Sequence, residues 1–254
     1  MNAMTLIKKG FQAVEAYCAI HQVAKVQAGI YQICPKCAVS DVETTNNERQ
    51  AEVDRIVREK HFSGAMLPAR HAESGFRSYK VNPNNQGQAN ALNQCVTYTK
   101  SFISGSRSNL IMVGSTGVGK THLSCATART LLNKGMYVRY ITSEELAQRI
   151  MSAWDKNTKD QSEESVIYDF TQYDLLILDE YGLHDREKRL ELVHKVLYAR
   201  YDAGKPTMLI SNLMIEGDKG LKADLGDRLW SRFQHDGLTV VECNWGDQRV
   251  GSAA

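Results

Sequence analysis

The run Gly114-Ser115-Thr116-Gly117-Val118-Gly119-Lys120-Thr121 constrains what this chain can fold into more than any other feature. It satisfies the Walker A pattern, a glycine, four residues, then Gly-Lys-Thr. The glycines let backbone N–H groups turn inward around a β-phosphate, and the following helix presents its positive end. Lys120 is placed to reach the β- and γ-phosphates, and the Thr121 hydroxyl to ligate Mg2+. Such a loop works only between a strand and a helix, and the sequence supplies both. Asn109-Leu110-Ile111-Met112-Val113 reads as a short buried strand, and a helical pattern runs from about Thr121 to Asn133. ATP and Mg2+ are the expected ligands.

The rest of the chain fits a soluble nucleotide-binding fold. Of 254 residues, 43% are hydrophobic and 24% charged, with a formal net charge of +2, so any nucleic-acid contact has to come from a local patch. No apolar run approaches the ~20 residues that span a bilayer. The N-terminus lacks a secretory core, and Met4 could be a natural start. Cytoplasm is the expected compartment. After residue 90, short apolar runs alternate with amphipathic segments. Further strands are expected at Tyr137–Ile141, Leu175–Leu178, Met208–Ser211 and Leu238–Glu242, with helices between them. This alternation predicts an α/β fold with a five-stranded parallel sheet covered on both faces.

Three further motifs add chemistry. Asp179-Glu180 follows the apolar run Leu175-Leu176-Ile177-Leu178, 59 residues after Lys120. A buried strand there would deliver Asp179 to the magnesium ion and Glu180 to the attacking water, the Walker B arrangement, which points to hydrolysis rather than binding alone. A solvated turn could end the same way, but it would not need the P-loop. Asn212 closes the fourth strand, where an amide can touch the γ-phosphate and the lytic water, the sensor 1 role of AAA+ proteins. A turn-forming Asn is the plainer reading. Arg228 and Arg232 lie four apart and so share one helix side. Such an arginine can neutralise charge on a neighbouring subunit's γ-phosphate, although spacing alone also suits a solvated face.

Taken together these residues resemble the DnaC-type replicative helicase loaders, AAA+ proteins related to the ATPase partners of IS21-class transposases. The resemblance covers about residues 62 to 250. It includes Ser74-Gly75-Phe76-Arg77-Ser78-Tyr79, the Walker loop, Leu176 to Gly182, Leu225-Gly226-Asp227-Arg228 with Arg232, and Asn244-Trp245 followed by Arg249. It implies that Arg232 is the arginine finger (with Arg228 as the fallback), that Arg249 is the sensor 2 arginine, and that copies self-associate through Arg232 in trans. It further implies binding to single-stranded DNA and to a DnaB-type ring helicase, and no C-terminal helical lid; only 22 residues follow Arg232. In such loaders the segment before the Walker B strand contacts DNA. Here it carries Trp154 with Lys156 and Lys159, an aromatic flanked by cations. Trp154 capping a helix core is the equal alternative. Lys188 and Arg189 are further phosphate-contact candidates.

The N-terminus departs from the best-known loaders. Cys18-x2-His21, twelve residues, then Cys34-Pro35-Lys36-Cys37 supplies four zinc ligands at tetrahedral spacing, and Pro35 favours the tight turn. Unpaired thiols or a redox pair are the alternatives, and His61 or His71 could replace His21. Layouts of this kind suit a phage or prophage replication gene. The charged run from Asn46 to Lys60 reads as a solvated helix. Domains are expected at 1–60 (a zinc-ribbon-like module with its following helix), 61–90 (a connector) and 91–254 (the ATPase). Two other functions stay open: a transposition ATPase acting on duplex DNA, and a DNA adaptor in which ATP is only a structural ligand.

Overall fold

The computed structural model describes residues 11–154, 161–182 and 187–249. Contacts divide the chain into two units, residues 1–57 and 58–254. In the first unit, strands β1 (Ala13–Tyr17), β2 (Ala24–Ala28) and β3 (Tyr31–Ile33) form an antiparallel sheet in that order. Helix α1 (Pro35–Gly64) follows and crosses the boundary between units. Proline at its start is tolerated because the first-turn N–H has no helical partner to lose. Of its side chains only Pro35 is buried, as expected for a run dense in Lys, Arg, Glu and Asp.

The second unit is a five-stranded, wholly parallel sheet: β4 (Asn109–Gly114), β5 (Val138–Thr142), β6 (Leu175–Tyr181), β7 (Thr207–Ser211) and β8 (Leu238–Cys243), in the order β5-β6-β7-β4-β8. Its helices are α2 (Gln86–Ile103), α3 (Lys120–Asn133), α4 (Ser143–Ser152), α5 (Glu163–Thr171), α6 (Glu187–Asp202) and α7 (Leu221–His235). Successive side chains of a strand point to opposite faces, and β4 shows the consequence. Leu110 and Met112 join the core under α2 and α3, whereas Ile111 and Val113 join the core under α4 to α7. Continuous apolar runs such as Leu175–Leu178 are therefore required, since both faces are covered. Thr142 opens α4 with a capping box, its hydroxyl accepting the Glu145 N–H while Glu145 accepts the Thr142 N–H.

Two expectations about boundaries change. Strand β6 runs on to Tyr181, so Asp179 and Glu180 lie within the strand rather than beyond it. Residues 61–90, read as a connector, are integrated into the larger unit. Phe62, Leu67, Phe76 and Tyr79 pack on its core, Arg139 donates to the Gly64 carbonyl at 2.8 Å, and Arg129 bonds the Ala72 carbonyl and Glu73. Apolar residues spaced irregularly between turns carried no helical or strand period, which hid their burial. Among the described residues no helix is long and apolar enough to cross a membrane.

Candidate functional site

The P-loop leaves β4 and runs into α3, at the carboxyl ends of the strands, where open parallel sheets bind ligands. Gly119 has φ +95°, and a Cβ there would fall 2.8 Å from the Tyr79 ring, so only glycine fits. Lys120 is buried, and its ammonium donates to the Gly114 and Ser115 carbonyls at 2.7 Å each and to Asn212 Oδ1 at 2.8 Å. Burial holds its pKa below the ordinary lysine value, while three acceptors keep the charged form solvated by protein.

Strand β7 lies between β4 and β6, so Asn212 stands between the cradle and the acids. Asp179 is buried and accepts three hydrogen bonds: from the Thr121 hydroxyl at 3.0 Å, the Tyr140 hydroxyl at 2.6 Å and the Glu180 N–H at 2.7 Å. The Thr121–Asp179 pair marks the place where Mg2+ would be held between a hydroxyl and a carboxylate. Glu180 takes a left-handed conformation, φ +56°, unusual for a residue with a Cβ. The Ser143 hydroxyl donates to its carbonyl at 2.9 Å. Partial burial, then the neighbouring charges of Asp179, Glu145 and Glu144, raise the Glu180 pKa above the usual glutamate range. A carboxylate so shifted is a better proton acceptor for water.

These groups line a cavity of about 390 Å³, together with Thr116, Gly117, Val118, Tyr79, His71, His122 and Arg249. Its size and its mixture of P-loop amides, one lysine and two acids fit a nucleoside triphosphate with its metal. Arg249 thus reaches the nucleotide cavity of its own chain. Arg232 is not among that cavity's lining residues: its guanidinium lies 4.7 Å from the ring centroids of both Tyr198 and Tyr201, with Asp202 at 3.5 Å. Arg228 is exposed on the same helix, past a kink at Gly226.

The first unit brings Cys18, His21, Cys34 and Cys37 together. Cys18 Sγ lies 3.7 Å from both Cys37 Sγ and His21 Nδ1, and His21 Nδ1 lies 3.6 Å and 3.3 Å from the Cys34 and Cys37 sulfurs. Tetrahedral Zn–S and Zn–N bonds require S···S of about 3.8 Å and S···N of about 3.6 Å, so the donor set fits Zn2+ closely. Backbone N–H groups of His21 and Cys37 point at Cys18 Sγ and Cys34 Sγ, each at 3.5 Å, and favour thiolates. The His21 N–H, helped by that of Ile20, pulls the Cys18 thiol down to about 6. His61 and His71, the alternatives to His21, are not in the cluster: His61 stacks on Tyr137 and His71 lines the nucleotide cavity. Cys95, Cys125 and Cys243 are buried in the larger unit, and burial raises all three thiols.

Of the DNA-contact candidates, Trp154 and Lys188 meet. The Lys188 ammonium sits 4.6 Å from the indole centroid, and the indole N–H donates to Glu163 at 2.8 Å, which also pairs with Lys195 at 2.6 Å. Trp154 remains 42% exposed. Arg189 instead pairs with Glu144 at 3.0 Å. Lys156 and Lys159 lie outside the described residues.

Sequence reasoning missed Tyr140 and His122. Tyr140 reaches Asp179 from the neighbouring strand β5, a pairing that needs the sheet order to be known. His122 donates from Nε2 to the Gly75 carbonyl at 3.0 Å and lies within hydrogen-bond reach of the Ser74 and Ser78 hydroxyls beside the cavity, across more than 40 residues of chain.

The strand order and the Lys120–Asn212–Asp179–Glu180 assembly define an AAA+ ATPase of the P-loop class. The chain matches the IstB-like ATP binding protein family over residues 44–244, and it belongs to that family. It is 29% identical over 204 residues to YdaV, an uncharacterized protein of Escherichia coli strain K12, covering 80% of this chain and 77% of that one. It is 29% identical over 194 residues to the replicative helicase loader DnaC of the same strain, covering 75% of each chain. A crystal structure of the DnaC helicase loader superposes with a TM-score of 0.57 at 24% identity, covering 68% of this chain and 99% of that one, a likeness of fold.

Proposed function

We propose that this chain is an ATP-dependent loader that binds a DnaB-type ring helicase and single-stranded DNA and helps deposit the helicase when replication starts. The observation that carries the proposal is the complete hydrolytic set, Lys120, Thr121, Asp179, Glu180 and Asn212, on adjacent strands of a chain similar to DnaC over three-quarters of both. In this reading Gly114 to Thr121 hold the phosphates, Asp179 and Thr121 hold Mg2+, Glu180 orients or deprotonates water, and Asn212 and Arg249 sense the γ-phosphate. Arg232, turned to its own tyrosines rather than its own nucleotide, serves the site of a neighbouring copy. Two rings hold its guanidinium in place before the neighbour arrives.

Zn2+ held by Cys18, His21, Cys34 and Cys37 organises the N-terminal unit, which docks on the helicase. Domain roles follow the two units: residues 1–57 dock, and residues 58–254 bind nucleotide and DNA. Trp154 with Lys188 forms the single-strand contact, and Lys156, two positions along the sequence, is a further cation for it. A base would take the indole face that Lys188 leaves open. Arg189 contributes to phosphate binding only after releasing Glu144. A phage or prophage origin suits the zinc module.

The test is binding of the full chain, with a non-hydrolysable ATP analogue, to single-stranded and duplex oligonucleotides of equal length. Assembly on single strands supports the loader. Assembly on duplex alone supports the second reading, a transposition ATPase. If Glu180→Gln leaves every DNA function intact, ATP is only a structural ligand. Retention of a ring helicase by the wild type but not by Cys34→Ser/Cys37→Ser assigns docking to the zinc unit.

A further inference from the structure

We infer that Asp247 is a positioning residue that ties Arg249 to the phosphate cradle, so that the arginine moves with the loop it serves. The inference rests on the reading of Arg249 as a γ-phosphate sensor. It starts from the segment after β8, which lies along the P-loop and is joined to it at three points. The Ser115 hydroxyl donates to the Trp245 carbonyl at 3.3 Å, the Trp245 indole N–H donates to the Val118 carbonyl at 3.0 Å, and the Gln248 N–H donates to the Gly117 carbonyl at 3.0 Å.

Asp247 sits inside this bracket. Gly117 has φ +78°, and a Cβ built on it would fall 1.9 Å from Asp247 Oδ1, so the carboxylate fills the space a side chain would need. The same oxygen accepts the Arg249 N–H at 2.8 Å. That bond closes an Asx turn, which fixes the backbone two residues on. Arg249 then lines both the nucleotide cavity and the adjoining cavity that opens onto Asp179 and Glu180, the end of the site where a terminal phosphoryl group would lie. One carboxylate therefore touches the cradle at Gly117 and sets the turn that aims the arginine. Its own negative charge near the phosphates is offset by the guanidinium it positions. An amide at 247 could accept the same N–H, whereas a methyl group could not.

The experiment is titration of the full chain, with Mg2+, by ADP and by a non-hydrolysable ATP analogue, for wild type, Asp247→Ala, Asp247→Asn and Arg249→Ala. Asp247→Ala is expected to weaken the ATP analogue by about 10-fold, the loss of one charge-assisted hydrogen bond, and to leave ADP nearly unchanged. Arg249→Ala should match it. Asp247→Asn should keep the wild-type preference for the ATP analogue, because the Asx turn survives. A wild-type preference in Asp247→Ala alongside a lost preference in Arg249→Ala overturns the inference and leaves the sensor reading standing. Equal weakening of both nucleotides in Asp247→Ala and Asp247→Asn also overturns it, because that pattern reports a merely structural role. A wild-type preference in Arg249→Ala removes the sensor reading itself, and the inference with it.

Discussion

The Lys120 ammonium donates to Asn212 Oδ1 at 2.8 Å and so ties the phosphate cradle after β4 to the end of the neighbouring strand β7. Two further acceptors, the Gly114 and Ser115 carbonyls, complete its three donors. A bound γ-phosphate would draw Lys120 from these partners and free the Asn212 amide for the lytic water. Asn212→Ala is therefore expected to lower kcat for ATP by roughly 100-fold, the cost of one preorganised transition-state contact, with nucleotide affinity changed only a few-fold. Steady-state ATPase rates beside equilibrium nucleotide titrations check this. Equal losses in both would show a structural role.

Glu180 is expected to give the ATPase an acid limb at a higher pH than an ordinary glutamate would. Partial burial and the negative charges of Asp179, Glu145 and Glu144 raise its pKa. The base acts as the carboxylate, so activity is lost as pH falls through that raised value, earlier than for an unperturbed side chain. Glu145→Gln and Glu144→Gln should each move the limb down. Glu180→Gln should bind ATP, fail to turn it over and accumulate the ATP-bound state. A limb in the unperturbed range that does not respond to the two neighbours would contradict this.

One zinc ion per chain is expected on elemental analysis of purified protein, and none in Cys34→Ser/Cys37→Ser. Chelation should unfold the β1–β3 unit, whose buried side chains include Val26 and the candidate ligands Cys18 and Cys34. So small a core cannot fold unaided. The larger unit, with its own core, should keep its melting transition. Acidification should release the metal as thiolates and imidazole protonate.

Arg200 is fully buried, and burial pushes its guanidinium down to about 9. Among the described residues its donors bond neutral oxygens, the Phe170, Tyr173 and Pro206 carbonyls and the Thr207 hydroxyl. These contacts staple α6 to the end of α5 and the start of β7. Arg200→Met keeps most of the volume but leaves those acceptors unpaired. The expected cost is about 3 kcal/mol or more of unfolding free energy in denaturant titration. A loss below about 1 kcal/mol would mean that water replaces the guanidinium.

Much of this site was legible in the sequence because its chemistry sits in contiguous runs. Lys120 and Thr121 follow glycines at fixed spacing, Asp179 follows a wholly apolar run, and Cys18, His21, Cys34 and Cys37 come as two short knuckles. The five strands were readable because burial on both faces demands uninterrupted apolar residues. Contacts made between elements left no such trace. Tyr140 bonds Asp179 only because β5 and β6 are neighbours, and nothing local to Tyr140 signals it. Asp247 looks like any exposed loop acid until Gly117 is placed beside it. Residues 61–90 lacked a period, so burial of Ala65 and Ser74 was invisible. The pairing of Arg189 with Glu144 was invisible as well, because the two lie 45 residues apart.

ATP-gated delivery of a ring helicase to single-stranded DNA can be measured on a closed circle of single-stranded DNA, which offers no end to thread. Ring helicase retained on the circle after a salt wash is measured with wild type, Lys120→Ala, Glu180→Gln and Arg232→Ala. Retention is expected with wild type and ATP, little with ADP, and loss in Lys120→Ala and Arg232→Ala. Glu180→Gln should assemble with the helicase and DNA but hold them in a stalled complex. Retention that is independent of nucleotide and of Lys120, or assembly confined to duplex circles, would contradict it.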